Sequence, residues 1–184
     1  MKRLIDIILS LTALVVLSPV LLLAAMAVAL GSGSPILFRQ TRVGLGTVSF
    51  GMFKFRSMVK NAATTGPYFT DTNDVRITRV GQFIRRTSID ELPQIINVLL
   101  GDMSLIGPRP DVPAQQSLYS PEDWKLRCSV RPGITGLAQV KGRSDVSFEQ
   151  RLSMDLEYVR HASWWGDIKI LWLTVCQLSG KQAN

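Results

Sequence analysis

From Ile7 to Phe38 the chain carries no charged residue, and its Leu11–Leu30 portion meets the requirement of about 20 apolar residues for a membrane-spanning helix. Ser18-Pro19 falls midway. There proline removes a helical hydrogen bond, frees the Val15 carbonyl and predicts a bend. Pro35–Val43 and Val48–Met58 are rich in β-branched and aromatic residues and flank Gly44-Leu45-Gly46, which predicts a short β-hairpin with Lys54 and Arg56 on one face of its second strand. Asn61–Asp74, with Gly66-Pro67, reads as a loop; Tyr68-Phe69 fits either a membrane-touching tip or a buried aromatic pair.

Leu92, Ile95, Ile96, Leu99 and Leu100 then recur at helical spacing, and Gly101 supplies a stop. Near the end, Trp164, Trp165 and Trp172 with Ile168, Ile170, Leu171, Leu173 and Val175 predict an amphipathic helix, resting at a lipid interface or packed in the core. No internal repeat or low-complexity linker divides the rest. The expected organisation is a membrane helix over residues 1–34, kinked at Ser18-Pro19, and one mixed α/β body over residues 35–184.

Composition adds two constraints. A hydrophobic share of 46% in 184 residues is high for a purely soluble domain, and a formal charge of +7 calls for an anionic partner: nucleic acid, anionic lipid or a phosphorylated substrate. Cys128 and Cys176 have neither CxxC spacing nor a histidine cluster, so neither a disulfide framework nor a zinc site is expected. His161, the only histidine, has no nucleophile-like neighbour, which argues against Ser-His-Asp chemistry.

The flanks of the apolar segment carry topological information. Lys2 and Arg3 precede it, and Arg39, Arg42, Lys54 and Arg56 follow it with no acid before Asp71. Under the positive-inside rule both flanks prefer the cytoplasm, so a kinked helix that enters and leaves by one leaflet satisfies both. A proline-kinked spanning helix is the simpler alternative. A cleaved signal peptide ending near Ala25-Met26-Ala27 is disfavoured, because the apolar run exceeds the usual 7–15 residues or so.

The densest chemistry lies in Arg85-Arg86-Thr87-Ser88-Ile89-Asp90-Glu91-Leu92-Pro93-Gln94. Adjacent carboxylates follow a basic pair at what reads as a helix start, where free N–H groups favour anions. Ser88-x-x-Glu91 also spells a capping box, a purely structural reading. That reading leaves Asp90, the two arginines and the Gly107-Pro108-Arg109-Pro110 turn unexplained. Two prolines there hold one guanidinium in a stiff loop, suited to bidentate recognition of phosphate or carboxylate.

The runs Arg79–Gln94, Gly101–Pro110, Lys54-Phe55-Arg56-Ser57-Met58, Arg131–Val140 and Gly142-Arg143 resemble the bacterial sugar transferase family, the monotopic phosphoglycosyl transferases. The resemblance covers nearly the whole chain. Lys141, where a small polar residue is expected, and the short tail after Trp172 depart from it.

The resemblance implies an α/β catalytic body on an N-terminal re-entrant membrane hairpin, with amphipathic interfacial helices, at the cytoplasmic face of the bacterial inner membrane. It implies transfer of a sugar phosphate from a nucleotide-activated sugar, expected to be a UDP-sugar, to polyprenyl phosphate, with release of a nucleoside monophosphate. Asp90 would be the nucleophile, and Glu91 would help hold Mg²⁺ or position the reacting groups; both are candidate ligands for a hard cation. Lys54, Arg85, Arg109 and Arg143 are the candidate phosphate contacts. Arg86, Arg131 and Asp102 are weaker ones, better explained by surface charge and loop capping.

A non-enzymatic adaptor binding anionic lipid through the basic surface is the alternative, and would leave Asp90 and Glu91 dispensable. A nucleic-acid role is not expected, because the basic residues cluster at the membrane flanks and carboxylates rather than among stacking aromatics. Nothing in the pattern excludes an oligomer.

Overall fold

The computed structural model describes residues 2–62, 74–142 and 146–178. The expected loop tip at Gly66-Pro67 and Tyr68-Phe69, and the candidate Arg143, lie outside them.

α1 (Lys2–Ser32) is a helix of 31 residues with Pro19 inside it. Helical structure continues through Ser18-Pro19, and the Ser18 hydroxyl donates to the Val15 carbonyl at 2.8 Å, a substitute for the amide proline lacks. The helix is long and apolar enough to cross a membrane. Its central residues, including Leu11, Val15, Val16, Val20, Leu22 and Leu23, are exposed.

Both ends of α1 are held by the rest of the protein. At the start, Lys2 pairs with Asp167 at 2.5 Å, and Arg3 donates to the carbonyls of Val98 and Leu99. Asp6 is buried, accepting from Ser104 Oγ at 2.9 Å and the Leu105 amide at 3.2 Å. At the far end Arg56 donates to the carbonyls of Ser32 and Gly33, capping the helix, while Ala24 and Val28 pack with Phe55 and Ile84.

The expected hairpin is present. β1 (Leu37–Val43) and β2 (Ser49–Phe55) pair antiparallel from Leu37↔Phe55 to Val43↔Ser49, joined through Gly44-Leu45-Gly46 with Gly46 at φ 62°. α2 (Arg79–Arg86) starts at Thr78, whose hydroxyl accepts from the Gly81 amide at 2.9 Å. α3 (Gln94–Leu100) ends at Gly101, in the left-handed region at φ 97°.

The buried face of α3 differs from the apolar stripe. Gln94, Ile95, Asn97 and Val98 are buried, whereas Leu100 is exposed. Asn97 explains the rotation: its carboxamide accepts from the Phe53 amide at 2.9 Å and donates to the Gly51 carbonyl at 2.8 Å, so a polar residue docks α3 on β2. Val98 fills the space beside it, with Met52 and Met103.

β3 (Ser104–Ile106) and β4 (Gly133–Thr135) form a second, parallel two-stranded sheet. The helices α4 (Pro121–Arg127), α5 (Leu137–Gly142), α6 (Phe148–Arg160) and α7 (Trp164–Leu178) complete the mixed α/β body. α7 has two faces. Ile170 is buried with Ile106, Val140 and Tyr158, while Trp164, Trp165, Ile168, Trp172 and Val175 are exposed. His161 is exposed at the end of α6, and neither cysteine forms a disulfide.

Candidate active site

The carboxylates lie just ahead of α3, at the helix start that the sequence indicates. Ile89-Asp90-Glu91 form a 3-10 turn, and Pro93 immediately precedes α3. The capping box is absent. Ser88 is left-handed at φ 56°, its side chain caps nothing, and its amide already donates to the Arg85 carbonyl at 3.1 Å. That left-handed residue turns the chain sharply between α2 and the 3-10 turn, and Pro93 costs no bond because an N-terminal amide has no helical acceptor.

The two carboxylates have opposite environments. Glu91 accepts from Lys54 Nζ at 2.9 Å and from both arms of Arg109, with Nη1 at 3.1 Å from Oε2 and Nη2 on Oε1. Burial alone would raise its pKa, but Arg109 and then Lys54 outweigh it and hold the carboxyl down at about 2. Asp90 is only 7% exposed and has no hydrogen-bond partner among the described residues. Burial and then the neighbouring Glu91 charge push its pKa up, against the pull of Lys54, Arg85 and Arg109. It is therefore a buried carboxylate without a fixed partner, set among three cations.

Each cation is placed by a different element. Lys54 follows Phe53 on β2, so the Asn97 bond that docks α3 also brings the ammonium to Glu91. Burial lowers its pKa while Glu91 raises it. Arg85 is on the last turn of α2, its Nε donating to Ser57 Oγ at 3.0 Å. Gly81 permits that approach, since a methyl group there would lie 1.9 Å from the Ser57 carbonyl oxygen. Arg56, expected beside Lys54, instead caps α1.

Arg109 projects from a loop whose backbone is tied on several sides. Gly107 N donates to the Thr135 carbonyl at 2.9 Å, and the Pro108 carbonyl accepts from Gly133 N at 2.9 Å. The Pro110 carbonyl accepts from Arg42 at 3.0 Å, and the Asp111 carbonyl from Val43 N at 2.8 Å. Arg109 keeps further N–H groups for an anion, and its side chain is 43% exposed.

Four of the predicted phosphate and carboxylate residues thus gather around Asp90: Lys54, Arg85, Glu91 and Arg109. The weaker candidates stand aside. Arg86 is exposed, Arg131 Nε donates to the Gly101 carbonyl at 2.9 Å, and Asp102 accepts from Asn97 at 3.1 Å. Ser57, Asn97 and Arg127 were not singled out from sequence, although an asparagine inside an apolar helical run was a visible sign for one of them. Among the described residues no group of three acidic, histidine or cysteine side chains could hold a metal. Asp90 alone offers an uncommitted carboxylate, a donor set that fits a Mg²⁺ ion completed by substrate phosphates.

The sequence model described as "Bacterial sugar transferase" matches residues 1–181. The chain is 47% identical to a UDP-glucose:undecaprenyl-phosphate glucose-1-phosphate transferase of Escherichia coli K12, over 95% of this chain and 39% of that protein. A protein of the same name from Caulobacter vibrioides is 43% identical, over 96% of this chain and 69% of its own length. The uncharacterized sugar transferase EpsL of Bacillus subtilis is also 43% identical, over 95% of this chain and 85% of its own length. The chain therefore spans about two fifths of the length of the E. coli relative.

Proposed function

The chain belongs to the bacterial sugar transferase family, and from that premise we propose that it transfers a sugar phosphate from a UDP-sugar to polyprenyl phosphate, releasing UMP. The names of the E. coli and C. vibrioides relatives support the substrate pair. The observation that carries the chemistry is the contrast between Glu91, tied to two cations, and Asp90, buried without a partner.

In this reading an Asp90 oxygen attacks the phosphorus that bears the sugar. The new O–P bond forms as the bond to the bridging pyrophosphate oxygen breaks, and UMP leaves with that electron pair. The polyprenyl phosphate oxygen then attacks the same phosphorus, and the Asp90–phosphorus bond breaks to regenerate the carboxylate. Lys54, Arg85 and the remaining N–H groups of Arg109 stabilise the phosphoryl oxygens, since in-line phosphoryl chemistry needs chiefly positioning and charge. Arg143 is retained as a further phosphate contact from the family resemblance. Glu91 positions Lys54 and Arg109. Mg²⁺, held by Asp90 and the substrate phosphates, would supply neutralisation of the pyrophosphate charge.

The membrane segment is assigned to residues 1–34 and the catalytic body to 35–184, on the cytoplasmic face of the inner membrane. Re-entry through one leaflet is supported by α1 being held at both ends by the same body while its centre is bare. The exposed tryptophans of α7 suit a lipid interface. A purely adaptor role is not favoured, as it gives no reason for an unpartnered Asp90 among cations.

The test incubates the full chain in nanodiscs with a panel of UDP-sugars and Mg²⁺, with and without polyprenyl phosphate. With both substrates UMP accumulates for the cognate sugar; without acceptor, one UMP per site is released and labelled sugar phosphate stays on the Asp90 peptide. No UMP with any sugar refutes the transferase reading. UMP release only when both substrates are present, with no label on the protein, refutes the covalent step alone.

A further inference from the structure

We propose that Arg127 is a positioning residue for the reaction, fixing the backbone of Arg109 and through it the direction of the Arg109 guanidinium. The inference rests on the proposed function above. Arg127 ends α4 and is 6% exposed, so it is out of reach of substrate. Its planar fork reaches three acceptors on two segments, the Arg109 loop and α6: Nη1 is 2.8 Å from Asp111, Nε donates to Asp155 at 2.9 Å, and Nη2 donates to the Arg109 carbonyl at 2.5 Å. The Tyr119 ring lies 5.6 Å from the guanidinium, and its hydroxyl donates to Asp111 at 2.5 Å.

The third bond has a geometric consequence. Pro108 and Pro110 have their φ angles fixed by their rings, and the Pro110 ring also narrows the ψ of Arg109 toward the extended region without fixing it. That angle sets where the Arg109 carbonyl points. Holding the carbonyl therefore holds the peptide from which the side chain departs toward Glu91. A buried ion pair is weak evidence for stability in itself, because desolvation opposes the Coulomb gain. A guanidinium that also orients a catalytic-loop carbonyl has a use that a hydrophobic replacement could not supply. Lysine could keep the charge between Asp111 and Asp155 but not the three-way fork.

A double-mutant cycle tests this, with UMP release as the assay and thermal melting in detergent to establish folding. Arg127→Lys is expected to lower kcat about tenfold or more with little change in KM, but less than about twofold in an Arg109→Lys background, because coupled residues are non-additive. Full activity of Arg127→Lys, or two effects that simply multiply, overturns the proposal. If Arg127→Lys does not fold, the same cycle is run with Arg127→Gln in an Asp155→Asn background, which removes the charge and a partner together. If the wild type releases no UMP, the proposed function fails separately, and amide exchange decides the positioning role. Arg127→Lys must then accelerate exchange at Val43 and Gly133, whose amides donate to the Asp111 and Pro108 carbonyls, without accelerating it at Gly101. Unchanged exchange at both overturns it.

Discussion

Glu91 and Arg109 meet fork to fork, with Nη1 3.1 Å from Oε2 and Nη2 on Oε1, and Lys54 shares the same carboxylate at 2.9 Å. The turn with prolines on both sides of one arginine thus selects a carboxylate of the protein itself. Glu91 serves as the anchor that aims two cations past Asp90.

Arg109→Ala is expected to reduce turnover about 10²–10³-fold, the usual loss for one preorganised charge-stabilising group. Arg131→Ala should cost much less, because Arg131 is exposed and its side chain, among the described residues, bonds the end of α3 alone. Arg109→Lys should rescue poorly, since an ammonium cannot bridge both Glu91 oxygens and still face a phosphate. Steady-state UMP release from the three purified variants checks this; equal activity of the two alanine variants rejects the assignment.

Asn97 should prove as important to stability as to activity. Asn97→Ala leaves the Phe53 amide and the Gly51 carbonyl, both half-buried, without their partner, at up to about 1 kcal/mol for each group. The same change loosens β2 just before Lys54. Denaturant melts should therefore show a clear loss of stability, accompanied by a rise in KM for the nucleotide sugar. A variant with wild-type stability would show that α3 docks on β2 through apolar contacts alone.

Local sequence signals were legible where the structure is local. The Gly44-Leu45-Gly46 hairpin, the Gly101 stop and the clustering of charged motifs could all be read from residue type and spacing. The buried face of α3 could not, because it is decided by backbone groups of β2 more than 40 residues earlier in the chain. Ser88 shows a related limit: its spelling fits a cap, but the turn out of α2 places a left-handed residue there. Asp6 lies just outside the apolar run, and nothing in the sequence indicates that it would be buried against Ser104 and Leu105. The grouping of Lys54, Arg85, Glu91 and Arg109 followed from motif resemblance. Their division of labour required coordinates.

Topology can be tested at positions the fold leaves accessible. With Cys128 and Cys176 first replaced, Leu4→Cys and Val48→Cys are exposed sites on either side of the uncharged run from Ile7 to Phe38. Re-entry predicts that both react with an impermeant maleimide only when the cytoplasmic face is open. Labelling from opposite faces would establish a spanning helix. Pro19→Ala should shift the population toward that spanning form, because it restores the amide for which Ser18 now substitutes at Val15.

Asp90 and Glu91 are neighbours in sequence with opposite expected effects on stability. Glu91 has a pKa held down at about 2, against an ordinary 4.5, so its contribution is present above the ordinary value and lost as the pH falls through about 2. Asp90 is shifted upward by burial and by Glu91, so its contribution is present in acid and lost as the pH rises through the folded-state pKa. Wherever Asp90 is ionised, the folded state carries its unfavourable charge. Asp90→Asn should therefore abolish turnover and raise Tm, while Glu91→Gln should impair turnover severely and lower Tm, by about 2–4 °C for each kcal/mol lost. Glu91→Gln should also flatten the acid limb of the stability profile between about pH 4.5 and 2, since the group that titrates there is gone. Thermal melts of wild type and both variants from pH 3 to 8 decide the matter. A lower Tm for Asp90→Asn at pH 7 would mean that the wild-type carboxylate has a stabilising partner, and the unpartnered nucleophile would have to be abandoned.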